Sequence, residues 1–197
     1  MRRGMIAAVA LAGAACGGGS NSNSNPNPNP SPTSPATVSG NINGQAFGAQ
    51  DAVSNVLTAG PNSVALILVT NVASACAKVS ASQVPRNGKV ILILAGALSA
   101  ASVSAPAAPG SYRVFTAAVI NSQTGNVAQA VYQSVDGTCF PNGDLEATGG
   151  TVTFTRIDTS GQAGTFDLTF SDGSHATGTF TANKCTALTT NLTGTCT

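Results

Sequence analysis

Tryptophan is absent from this 197-residue sequence, tyrosine occurs twice, histidine once, and charged side chains make up only 8% of the chain. Each scarcity excludes something. The chain holds eight Lys and Arg against seven Asp and Glu, and no basic block or stripe exists to displace counterions from a phosphate backbone, so nucleic acid is not an expected partner. A single histidine, His175, must carry any Ser-His-Asp or Cys-His mechanism, and no GxSxG elbow accompanies it. No CxxC spacing is present, which removes the usual ligand pairs of a zinc site. No cofactor motif occurs. Thr, Ser, Ala, Gly and Asn fill the polar positions, a usage that suits a β-rich protein working outside the cytoplasm better than a cytosolic enzyme.

What is present begins with MRRGMIAAVALAGAA at residues 1–15. Two arginines, an apolar stretch from Met5 and small residues before Cys16 follow the plan of a secretory signal. At about 11 apolar residues the stretch is too short to span a membrane, which takes about 20. LAGAAC, with Gly13, Ala14 and Ala15 directly before Cys16, resembles a bacterial lipobox. The resemblance implies cleavage before Cys16 and lipidation of its thiol, and anchoring by acyl chains worth about 0.8 kcal/mol per CH₂. By the same resemblance, Gly17 rather than Asp after that cysteine implies sorting to the outer membrane of a two-membraned bacterium, or to the outer face of the cell membrane in a host with one. The linker, residues 16–37, then runs from Cys16 through GGGSNSNSNPNPNPSPTSPAT at 17–37 without a charged or large apolar side chain. Such a segment cannot offset its ordering entropy and is expected to be a disordered tether, about 25 Å long as a coil.

The remaining residues, 38–197, are expected to form one all-β domain. Val38 to Asn43 and Gln45 to Gln50 read as a hairpin about Asn43-Gly44, and a strand follows over 52–57. VALILV at 64–69 and VILILAGAL at 90–98 are continuous apolar runs, expected to be strands buried on both faces at the centre of the fold. Alanine-rich 72–82 has room for one short helix carrying Cys76. Residues 112–120 and 127–135 read as a further pair of strands and 136–150 as an irregular loop. The closing GTVTFTRID, GTFDLTFSDG and ATGTFTA alternate as a meander with Val152, Phe154, Phe166, Leu168, Phe170 and Phe180 on one face. Eight or nine strands in about 160 residues indicate an antiparallel sandwich or barrel. The opening SGNINGQAF and the closing meander with its following cysteine resemble a group of uncharacterised bacterial surface lipoproteins. That resemblance covers about half of the domain, implies a β domain and supplies no catalytic residue.

With Cys16 lipidated, Cys76, Cys139, Cys185 and Cys196 make an even set, free to form two disulfides in three connectivities. Proximity favours Cys185 with Cys196, leaving Cys76 with Cys139. Other candidates carry weaker signals. Asp136, Asp144 and Glu146 share a loop, but their spacing matches no calcium loop. Asp158 and Asp167 are eligible as a carboxylate pair, yet read as strand and turn residues. His175 reads as a solvent-facing hairpin residue. Asn191-Leu192-Thr193 has the form of a glycosylation sequon, incidental in a bacterial lipoprotein. The expectation is therefore a non-enzymatic binding or structural module, held to a membrane through Cys16 and meeting a protein, a glycan or a small apolar ligand. The alternatives are a barrel enclosing an apolar molecule between residues 64–69 and 90–98, and an unrecognised hydrolase.

Overall fold

The computed structural model describes residues 35–197 except 101 and 191. The expected leader, the expected lipidation site Cys16, the expected tether up to residue 34 and the Asn of the sequon lie outside the described residues. Strand β1 (Ala36–Ile42) turns at Asn43-Gly44, both at positive φ, into the two-residue β2 (Gln45–Ala46). Asn-Gly is the pair that tolerates this hairpin geometry best. Then follow β3 (Asp51–Ala59), β4 (Asn62–Thr70), helix α1 (Ala75–Ser80), β5 (Gln83–Val84), β6 (Lys89–Leu98), β7 (Val103–Ser104) and β8 (Gly110–Val114). A 3-10 turn at Ile120–Ser122 leads to β9 (Gly125–Val135), β10 (Pro141–Asp158), β11 (Gly161–Phe170), β12 (His175–Lys184) and β13 (Thr195–Cys196). Nine of these strands have five residues or more, in keeping with the eight or nine expected.

Hydrogen bonding closes the sheet on itself. The order β3-β4-β6-β9-β10-β11-β12 returns to β3 through Asn183↔Val53 and Lys184↔Ser54, so the fold is a barrel rather than a sandwich. Two strands act as wedges in this ring. β1 pairs with the first part of β12, and β8 sits between β9 and β10 where they splay apart. The sheet is mixed, since β12 with β3 and β8 with β9 run parallel. The two strands expected at 112–120 and 127–135 are present, but the first is corrected in length: β8 ends at Val114, and β9 pairs beside it in the same direction.

A second correction concerns the loop expected at 136–150. Only its first residues form a turn, and 141–158 is one long strand with register shifts at Pro141/Asp144, Ala147/Gly149 and Phe154/Arg156. Its glycines and proline mimic turn chemistry, but in a strand that bends around a barrel they mark bulges.

The lumen is filled by side chains. Phe47, Tyr132 and Phe170 meet edge to face, as do Tyr112, Phe154 and Phe180, at centroid separations of 5.3–6.4 Å. The meander residues predicted to share a face all point here and are buried. Two inward glycines make room for the rings: a Cβ on Gly164 would stand 2.9 Å from the Phe180 ring, and one on Gly178 would stand 2.3 Å from that of Phe166. Large and small residues therefore interdigitate around the axis. The two apolar runs are buried on both faces, as expected. Ile67, Val69, Ile91 and Ile93 face the lumen, while Leu66, Leu68 and Leu92 face outward into a second cluster with Ala75, Cys185 and Leu188.

Candidate functional site

That outer cluster exists because two irregular segments are fastened over the barrel wall. Helix α1 has its first amide, that of Ala75, donating to Asp51 Oδ2 at 2.7 Å, which ties its start to β3. The C-terminal strap, residues 185–197, leaves β12 through Cys185 N–H donating to Ser54 O at 2.7 Å. It is held by Asn55 Nδ2 donating to Leu188 O at 2.9 Å, and ends in β13, which pairs with β5. Two disulfides complete the fastening, Cys76–Cys185 and Cys139–Cys196. All four cysteines of the domain are paired, but the pairing favoured by proximity is corrected. Cys185 is buried beside α1 where β12 meets β3, whereas the strap carries Cys196 across the outer face to the turn after β9. Closeness in sequence fails here because the intervening residues are stretched over the barrel.

Between the strap, α1 and the outer faces of β4, β6 and β9 lies a crevice of about 210 Å³. Leu68 and Val90 form its floor, Val72 and Val79 one wall, Val84 and Leu192 the other, with Lys78 at the helix side. Just over half of the lining residues are aliphatic or proline, with Thr70, Gln83, Gln133 and Ser134 among the polar ones; the hollow is open on one side and larger than the cavity of about 150 Å³ known to hold benzene. It lies on the outside of the two aliphatic strands, while the space inside them is taken by Ile67, Ile93 and the aromatic rings.

Of the other residues singled out from the sequence, Leu192 and Thr193 of the sequon line this crevice, whereas the candidate acids and His175 do not. His175 and Asp167 meet across β11 and β12 at 2.8 Å, both more than half exposed. Asp136 and Asp158, with Asp172, each fold back on the residue two positions later. Their carboxylates accept from the hydroxyl and amide of Thr138, Ser160 and Ser174 respectively. Those bonds, the hydroxyl first, hold all three carboxyls below the ordinary carboxylate range. This is turn chemistry of the Asx kind. Glu146 accepts from Ala117 N–H and from Gln129 Nε2, and Asp144 is an exposed residue of β10. Asp136, Asp144 and Glu146 are thereby separated in their tasks, and among the described residues no cluster of three or more His, Cys, Asp or Glu is placed to hold a metal. Burial pushes the Tyr112 and Tyr132 hydroxyls up, in line with their places in the lumen.

Sequence reasoning missed the crevice. Val79, Val84 and Leu192 lie in short segments without a readable hydrophobic period, and those segments are brought together by the disulfides and by the pairing of β13 with β5. Comparison with family models, curated proteins and solved structures finds no match to this chain.

Proposed function

We propose that this protein is a lipid-anchored, extracytoplasmic binding module that holds a small apolar group in the crevice between α1 and the C-terminal strap. The observation that carries the binding role is the crevice itself: an aliphatic hollow of about 210 Å³ whose two walls are fastened covalently rather than left to collapse. An apolar ring or short acyl chain gains roughly 25 cal/mol per Å² removed from water there. Non-enzymatic action agrees with the separation of the candidate acids and histidine from this hollow. The lipobox resemblance at Cys16, the paired cysteines and the hydroxyl-rich surface support a place outside the cytoplasm, with the outer membrane favoured by Gly17.

Two experiments bear on the two halves of this reading. Val79→Trp fills the crevice from the helix side, and is expected to weaken binding of the apolar fluorophore 1-aminoanthracene at least tenfold in a fluorescence titration. An unchanged affinity would remove the crevice as the site. For the anchor, Cys16→Ala is expected to abolish metabolic labelling by an alkynyl fatty acid in the bacterial host, and undiminished labelling would refute lipidation there.

A further inference from the structure

The crevice under the strap carries a single charge. Lys78 is the only Lys, Arg, Asp or Glu among its described lining residues. It is half-buried while Ala77 and Ser80 on the same helix are exposed, so its four-carbon stem runs beside Val79 along the helix wall and leaves the ammonium at the opening. That cation has no anionic partner among the described residues, where the ion pairs are Arg156 with Asp158 and His175 with Asp167. Asp51, the acid that packs against α1, is committed elsewhere. Its two oxygens accept from Ala52 N–H at 2.8 Å and from Ala75 N–H at 2.7 Å. Gln83 and Gln133 bring carboxamides to the same lining, and neither side chain is hydrogen-bonded to a described residue. The hollow thus joins an apolar floor to one cation and two amide donors that lack a protein partner.

We infer that the occupant of this crevice is a free medium-chain carboxylic acid, bound as the anion, with its apolar body on Leu68 and Val90 and its carboxylate paired with Lys78. The inference rests on the crevice reading proposed above and adds the class of ligand. Charge selects the head group. A cationic amphiphile meets a like charge and finds no carboxylate in the lining, whereas one negative charge is matched by one ammonium. A phosphate head, with its second charge and three acceptor oxygens, calls for more cations than the crevice supplies. The second oxygen of a carboxylate accepts readily from a carboxamide such as that of Gln83 or Gln133. Volume selects the tail. If about 150 Å³ holds the six carbons of benzene, a hollow of about 210 Å³ takes roughly eight. A two-chained membrane lipid does not fit that space. An ammonium beside apolar walls is also less screened than one in open water, which strengthens its pairing with the incoming anion.

The test is an NMR titration of the isotopically labelled full chain with octanoate, octan-1-ol and octylamine, which share a tail and differ in the head. Octanoate is expected to give saturable shifts of the Val79, Val84 and Leu192 amides and to bind roughly fivefold more tightly than the alcohol, with the amine weakest. Lys78→Met keeps an unbranched stem and removes the charge. It is expected to weaken octanoate binding by roughly fivefold and to leave octan-1-ol binding undiminished, while Lys78→Arg keeps the preference for octanoate. The alcohol also reports that the variant's crevice is intact. Equal affinities for octanoate and octan-1-ol in the wild type, or octanoate binding unchanged in Lys78→Met, overturn the inference and leave the crevice standing as a site for neutral apolar groups. Absence of shifts with all three compounds and with 1-aminoanthracene overturns the crevice reading itself, and this inference with it.

Discussion

Replacing Cys76 and Cys185 together by alanine is expected to lower the free energy of unfolding by about 4–5 kcal/mol, read from urea denaturation. The bond joins residues 109 apart, and releasing so long a loop restores much of the conformational freedom that the cross-link denies the unfolded chain. The loss is not confined to entropy. Cys185 is buried in the outer cluster with Leu66, Leu68 and Leu188, and without the bond α1 is held mainly by the Asp51 carboxylate and a few aliphatic contacts. The variant should also lose affinity for an apolar probe, since Val72 and Val79 stand on the segment that is released. A destabilisation below about 1 kcal/mol would mean that α1 and the strap are held by something other than this cross-link.

Phe154→Ala is expected to cost about 3–5 kcal/mol, without touching the crevice. Phe154 is 1% exposed and packs against Tyr112 at 5.3 Å and Phe180 at 5.9 Å between ring centroids. It therefore joins the wedge strand β8 to the meander. Truncation leaves a hollow ringed by β-sheet, which collapses poorly because the strands are hydrogen-bonded on both sides. A urea midpoint shift of roughly 1.5–2.5 M follows from a slope of about 2 kcal/mol per M. Retention of the wild-type midpoint would show that the rings do not form the structural axis of the barrel.

These two sites differ in how far the sequence announced them. Phe154, Phe166, Leu168, Phe170 and Phe180 recur at alternate positions bounded by turn residues, so their common face was legible from period alone. The double burial of 64–69 and 90–98 was legible too, because no polar alternation interrupts either run. The crevice was not, since a wall made of two non-periodic segments depends on which cysteines meet. β10 was misread over 141–150 for a related reason: glycine and proline specify a change of direction, but not whether the chain turns back or bends within a strand. The parallel entry of β8 beside β9 was hidden because period-two patterning says nothing about strand direction.

The fastening of the strap by the two disulfides on the outer face of the barrel is the claim on which the crevice depends, and peptide mapping of the unreduced protein by mass spectrometry tests it directly. The predicted result is one proteolytic peptide pair joining Cys76 to Cys185 and another joining Cys139 to Cys196. Recovery of Cys185 with Cys196 and Cys76 with Cys139 would contradict it, for that pairing frees the strap from α1 and leaves the hollow without its second wall.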